Sequence, residues 1–202
     1  MRARGEDEEI RDAFLQNMRK RPPKPKVFVS KCLGFAACRW DGVKVSDDFV
    51  ESIKDIVTFV TACPETEIGL GIPRDRIRII GRGKKKRLIQ LNTQRDVTKD
   101  MQEYVSGLIG SLGDDIDGFI LKSRSPSCGI KDVKAYPDLK SEKISGNTSG
   151  FFASEVLRRF PKLPVETEAR LSSHKVRENF ITRLFTTAAI RARRNKKRRT
   201  AK

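Results

Sequence analysis

The stretch that most constrains this chain is a strand-like run that delivers a cysteine in a polar turn. Ile116-Asp117-Gly118-Phe119-Ile120-Leu121-Lys122 leads directly into Ser123-Arg124-Ser125-Pro126-Ser127-Cys128-Gly129. A short apolar run bounded by turn residues reads as a strand buried on both faces, the kind found inside parallel sheets. The turn after it gathers three serines, an arginine, a proline and a glycine around one soft ligand.

Other segments fit the same plan. Val27-Phe28-Val29-Ser30 reads as a short buried strand, broken by Lys31-Cys32-Leu33-Gly34. Asp47 caps a helix to about Lys54, and the β-branched and aromatic run Ile56 to Ala62 is a second strand ending at Cys63-Pro64-Glu65. Arg76 to Ile80 and Lys86 to Leu91 flank Gly81-Arg82-Gly83-Lys84-Lys85 as a hairpin. Thr98 is placed as the N-cap of a helix through Leu112, with Val97, Met101, Val105, Leu108 and Leu112 at helical spacing. Further along, a helix is expected from Asn147-Thr148 to Phe160, then a last strand over 163–166 and a helix over 175–192. Strands alternating with helices predict an α/β, Rossmann-like domain, a mostly parallel sheet with helices on both faces. In such sheets the ligand site lies beyond the carboxyl ends of the strands.

The expected organisation is a charged extension over 1–26, an α/β domain over 27–166, and a helical segment with a basic tail over 167–202. Within the extension, Glu6 to Lys20 is helix-prone, and Arg21-Pro22-Pro23-Lys24-Pro25-Lys26 is a stiff linker. No apolar run approaches the roughly 20 residues of a membrane helix, and the first residues carry no apolar signal-peptide core, so the expected location is cytoplasmic. Lys and Arg number 43 against 26 Asp and Glu, a net charge of +17, and eight of the basic residues fall in the last twelve. The +9 that remains is still strongly basic, which favours polyanions, nucleic acid above all; a solvated basic tail is the plain alternative. Arg74 and the 84–87 run are candidate contacts to RNA phosphate.

Four cysteines in 202 residues do not make a small secreted disulfide scaffold, and buried thiols are the simplest reading. Yet Cys32, Cys63 and Cys128 each follow a predicted strand within a few residues. In a parallel sheet those ends share one edge, so three thiolates from distant parts of the chain can meet. Three thiolates hold three corners of a cubane iron–sulfur cluster and leave the fourth iron open as a Lewis acid. A zinc site completed by Cys38 is the alternative. The sole histidine, His174, sits among polar residues and reads as a surface residue.

The motifs Ser30-Lys31-Cys32-Leu33-Gly34, Cys38-Arg39-Trp40-Asp41-Gly42, Cys63-Pro64-Glu65 and Lys122-Ser123-Arg124-Ser125-Pro126-Ser127-Cys128-Gly129 occur in an order that resembles the thiouracil desulfidase family. The resemblance runs from about Lys26 to Glu166. It implies a Rossmann-like domain that holds a [4Fe-4S] cluster on Cys32, Cys63 and Cys128, and non-redox removal of sulfur from a thiolated pyrimidine. Glu168-Ala169-Arg170-Leu171 and Arg177 to Arg183 resemble the junction to a helical domain fused behind it in longer relatives, which act on 4-thiouridine in transfer RNA. The chain departs from that pattern after Phe185, so most of the second domain is absent.

The chemistry implied needs a base for water and a donor for the departing sulfur. Glu65, two residues after Cys63, is the candidate general acid/base. Ser127, beside Cys128, is the candidate for orienting water, and Ser125 is its substitute. Arg39 and Asp41 are expected to organise the pocket as an ion pair or to touch substrate, with Ser30 and Arg74 as further substrate contacts. Trp40 is expected in the core rather than stacked on a base. Cys38 is read as a spare thiol or a fourth ligand. A separate class of function is an RNA-binding module whose cysteines hold a structural metal.

Overall fold

The protein is described by a computed structural model covering residues 23–200, apart from the Lys84 side chain. The helix-prone segment over 6–20 and most of the proline linker lie outside the described residues.

Four strands form a fully parallel sheet in the order β2-β1-β5-β8: β1 Lys26–Ser30, β2 Thr58–Ala62, β5 Gly118–Leu121 and β8 Val165–Thr167. Side chains alternate across such a sheet, so each central strand serves two cores. Val27 and Val29 of β1 and Ile120 of β5 pack with Leu33, Phe49, Val50, Phe180 and Leu184 on one face. Phe28, Phe119 and Leu121 pack with Met101, Val105, Phe152 and Val156 on the other. This is why the runs at 27–30 and 118–121 are apolar throughout.

The chain passes from β1 to β2 on one side, then returns to place β5 on the other side of β1. That reversal opens a crevice at the carboxyl ends of β1, β2 and β5, the usual ligand position in such sheets.

A second sheet, in the order β4-β3-β6-β7, is mixed: β3 Ile77–Ile80 pairs antiparallel with β4 Arg87–Gln90 and parallel with β6 Val133–Tyr136, which pairs antiparallel with β7 Gly146–Thr148. The β3–β4 hairpin was expected, but β6 and β7 were not. Val133-Lys134-Ala135-Tyr136 alternates buried and outward residues over only four positions, too short a run to stand out.

Helix α1, Asp48–Ser52, is capped by Asp47, whose Oδ1 accepts the Val50 N–H at 2.9 Å. The short helix α2, Pro64–Glu67, begins directly after Cys63. Helix α3, Thr98–Leu112, buries Met101, Val105, Ile109 and Leu112. Thr98 is its first residue rather than its cap: its Oγ1 accepts the Leu88 N–H, while Asp96 accepts the Thr98 N–H. Helix α4, Phe151–Arg159, starts later than expected because residues 146–148 are taken up by β7.

The last helix, α5, His174–Thr200, buries Phe180, Leu184 and Ala188 on the parallel sheet at four-residue spacing. Gly118 permits this approach, since a Cβ there would lie 2.9 Å from Leu184 Cδ1 and 3.1 Å from Pro164. Asp117, fully buried, accepts Arg191 Nε at 2.9 Å and Nη2 at 2.7 Å, together with the Lys26 N–H. The helix is thereby tied to the amino ends of β1 and β5.

Candidate metal centre

Each of the three strand-end cysteines is set by its own local turn. After β1, the Leu33 N–H closes back on the Ser30 carbonyl at 2.8 Å, and Gly34 turns the chain with a φ of 94° that suits glycine. After β2, Cys63 occupies the N-cap position of α2, and Pro64 supplies the first helical residue, where its missing N–H costs nothing.

The turn after β5 is held from two sides. Ser125 Oγ accepts the N–H groups of Ser127 and Cys128, both at 3.2 Å. From behind, the first N–H groups of α4 donate to the turn: Phe151 to the Pro126 carbonyl, Phe152 and Ala153 to that of Ser127. These are the orphan donors of a helix start, so α4 and the turn satisfy each other. Gly150 makes the contact possible, because a Cβ there would lie 2.4 Å from the Ser127 carbonyl. No local sequence signal marks that requirement.

Cys32, Cys38, Cys63 and Cys128 line one cavity of about 510 Å³, together with Ser30, Glu65, Arg74, Lys122 and Ser125. All four thiols are buried and unbridged. Burial, followed by the charges of Cys38 and Cys63, pushes the Cys32 thiol up to about 12. Burial pushes Cys38 up to about 12 as well, with Cys63 adding to it. Cys128 is also raised by burial, against a hydrogen bond from Ser30 that favours its thiolate. Thiolates crowded into a dry wall need a positive centre among them, and a thiolate-only donor set is soft, suited to zinc, copper(I) or iron–sulfur clusters. Among the described residues no three His, Cys, Asp or Glu side chains converge closely enough to hold one metal ion. Three thiols brought by three parallel strand ends to the wall of one cavity supply the all-sulfur donor set that an iron–sulfur cluster takes. The residues therefore fit a cluster.

Glu65 faces this cavity under tight control. Its Oε2 accepts Arg74 Nη2 at 2.7 Å and Nε at 3.1 Å, while its Oε1 accepts the hydroxyls of Ser127 at 3.0 Å and Ser125 at 3.2 Å. Four donors fill the acceptor capacity of one carboxylate. Arg74 also donates Nη1 to the carbonyls of Cys38 and Gly71, and its side chain is only 3% exposed. Its guanidinium is thus committed to holding Glu65 and the Cys38 loop, not turned out toward an RNA phosphate. Ser125 stands on the cavity wall, whereas Ser127 is fully buried behind it.

Ser30 is likewise structural in part: its Oγ accepts the Lys122 N–H at 2.9 Å, joining the ends of β1 and β5. Lys122 lines the cavity and pairs with Glu168, whose carboxylate also accepts the Ser123 N–H at 2.7 Å. Neither Lys122 nor Glu168 stood out in the sequence as a site residue, because no spacing rule ties residue 168 to the turn.

Arg39 and Asp41 form the expected ion pair at 3.0 Å, on the rim. Trp40 departs from the expectation of a core position: it is 42% exposed, lines the cavity mouth, and carries the Arg76 guanidinium 5.1 Å from its ring centroid. Of the basic run 84–87, Lys86 is turned inward onto Ser149 and Ser154, and Arg87 lies 3.7 Å from Asp96. Lys84 lies outside the described side chains. His174 is on the surface, beside Glu178.

Known proteins resemble this chain. The chain is 33% identical over 111 residues to the uncharacterized protein YbbK of Bacillus subtilis, a match spanning 51% of this chain and 72% of that one. Among solved structures, a [4Fe-4S]-dependent thiouracil desulfidase, TudS, superposes with a TM-score of 0.58 at 25% identity, covering 74% of this chain and 94% of its own. Residues 27–168, which carry all four cysteines, Glu65 and Glu168, match the 2-thiouracil desulfurase family, and the chain belongs to that family.

Proposed function

We propose that the chain is a [4Fe-4S]-dependent desulfidase that converts the thiocarbonyl of a thiolated pyrimidine to a carbonyl and releases sulfide. The observation that carries this reading is the meeting, in one cavity, of three strand-end thiols and a glutamate fixed by a buried arginine. Cys32, Cys63 and Cys128 would hold the cluster, and Cys38 is the thiol left over. When bound, the cluster supplies a thiophilic iron that draws electron density from the thiocarbonyl.

The chain's own groups do the proton work. Water adds to the ring carbon and brings the oxygen; the sulfur leaves as hydrosulfide, with no net oxidation. Glu65, which lines the cavity, takes the proton of the water on Oε1 as the Ser125 hydroxyl that donates to that oxygen gives way. Ser125 Oγ is itself filled by the N–H groups of Ser127 and Cys128 and keeps the turn in shape. Ser127 holds that same oxygen from the buried side. Arg74 fixes Oε2, so the carboxylate cannot swing away while it exchanges a serine hydroxyl for the incoming proton. The Trp40 ring at the mouth offers a flat face to the base.

For the finer substrate we propose 4-thiouridine in transfer RNA beside free thiouracil. The supporting observation is α5, whose last turns expose Arg193, Lys196, Lys197, Arg198 and Arg199 with no acid after Glu178. Among the described residues no helix is long and apolar enough to cross a membrane.

The test is anaerobic reconstitution followed by two assays, sulfide release from 2-thiouracil and loss of 4-thiouridine from transfer RNA. Sulfide release that depends on the cluster supports the desulfidase. A protein that binds RNA, holds zinc and releases no sulfide would make it a binding module with a structural metal.

A further inference from the structure

Glu168 lies just past β8, where the sequence resembles the junction to another domain, yet its carboxylate closes on the turn that carries Cys128. The register explains this. Leu121 of β5 pairs with Thr167 of β8, and the Glu168 N–H donates to the Leu121 carbonyl, so residue 168 emerges beside residue 122. There Glu168 Oε1 accepts the Ser123 hydroxyl at 2.5 Å and Lys122 Nζ, while Oε2 accepts the Ser123 N–H at 2.7 Å. The Glu168 side chain is 11% exposed and the Lys122 side chain 21%. Lys122 lines the cavity with Cys32, Ser30 and Ser123; Glu168 does not. Lys122 Nζ donates to Glu168 and to the hydroxyl and carbonyl of Ser123, so the ammonium is held at the cavity wall near the thiols, with its partner carboxylate outside the lining.

Of the other cations lining the cavity, Arg74 is bound to Glu65, Arg39 to Asp41 on the rim, Arg76 and Arg124 are exposed, and Lys31 is half-buried. Lys122 differs from the last three in being fixed in place, by Glu168 and the Ser123 hydroxyl. Three thiolates on a doubly positive cluster core leave one net negative charge, and each hydrosulfide set free in the cavity adds another. In a cavity partly shut off from water, such charge needs a preorganised cation.

We infer that Lys122 is that cation, and that Glu168 and Ser123 are positioning residues that hold its ammonium at the cavity wall. The inference rests on the desulfidase reading and adds a residue to it. Lys122 moves no proton here; it stabilises charge.

The experiment compares wild type, K122M, K122R and E168Q, each reconstituted anaerobically, by iron content, by the midpoint potential of the cluster and by steady-state sulfide release from 2-thiouracil. Removing a positive charge favours the more oxidised, less negative cluster, so K122M should shift the potential downward. E168Q removes the partner's negative charge and keeps the ammonium, so it should shift the potential upward. K122R should stay close to wild type in all three readouts. In K122M, kcat should fall about tenfold to a hundredfold with KM within about twofold, as for other fixed electrostatic contacts.

A merely structural clamp would move K122M and E168Q in the same direction through lost iron, and that pattern overturns the inference. So does a K122M protein with wild-type potential and turnover. Should K122M fail to take up iron, the upward shift of E168Q alone carries the inference, and its absence refutes it. A wild-type protein that holds no cluster and releases no sulfide would instead bring down the desulfidase reading itself.

Discussion

Arg74 is the residue whose removal says most about how this site is built. R74M deletes two charge-assisted hydrogen bonds to Glu65 and two to the carbonyls of Cys38 and Gly71, all from a side chain 3% exposed. Glu65, 12% exposed, then keeps only its two serine hydroxyls. Removing one partner of such a buried pair costs about 3–5 kcal/mol, mostly because the other charge is left behind. For a domain of this size that is a fall in Tm of about 6–20 °C. R74K keeps the charge but loses the planar fork, and should cost about 1–3 kcal/mol. Thermal unfolding followed by circular dichroism, on R74M, E65Q and the double variant, measures the coupling. The double variant should be less damaged than the sum, by at least about 1 kcal/mol. If R74M costs under about 1 kcal/mol, or if the two effects simply add, Arg74 does not hold Glu65 and the positioning argument fails.

Other expectations follow from single contacts. C32A, C63A and C128A should each lose the cluster, while C38A should retain it; iron content after reconstitution distinguishes them, and loss of iron in C38A would make Cys38 a ligand. G150A places a methyl group against the Ser127 carbonyl at a φ of −59° that alanine adopts freely, so the effect is steric alone. It should cost about 1–3 kcal/mol and lower iron content, since the carbonyl that must move belongs to the turn carrying Cys128. Neutralising Arg193, Lys196, Lys197, Arg198 and Arg199 together should weaken RNA binding and flatten its salt dependence, read by filter binding at several salt concentrations. Arg191 must be left in place in that variant, because it is the partner of buried Asp117 and its loss would unseat α5.

Much of this was legible in the sequence, and the parts that were not have physical causes. The parallel sheet announced itself through Val27-Phe28-Val29 and Phe119-Ile120-Leu121, runs that are apolar throughout because β1 and β5 each serve two cores. Strand ends sharing one edge then brought Cys32, Cys63 and Cys128 together. Strands β6 and β7 were missed because four and three residues are too few for a periodicity to show. Arg74 was expected to contact RNA phosphate or substrate; its hold on Glu65 was not foreseen, because only the fold shows that Glu65 lies across from it. Trp40 was expected inside because it is large and apolar, but the loop from Cys38 to Gly42 turns it onto the rim of the cavity. Glu168 depended on the β5–β8 register, which no local pattern encodes.

On the proposed reading, the three strand-end thiols hold a cluster that works on a thiocarbonyl beside Glu65. The most direct measurement is the iron and acid-labile sulfide content of anaerobically reconstituted protein, taken with sulfide release from 2-thiouracil by the same sample. The expected result is about four irons and four sulfides per chain, absorbance in the visible range that bleaches in air, and sulfide release lost in E65Q with the iron retained. A colourless protein, or a loaded one that releases no sulfide, would contradict it.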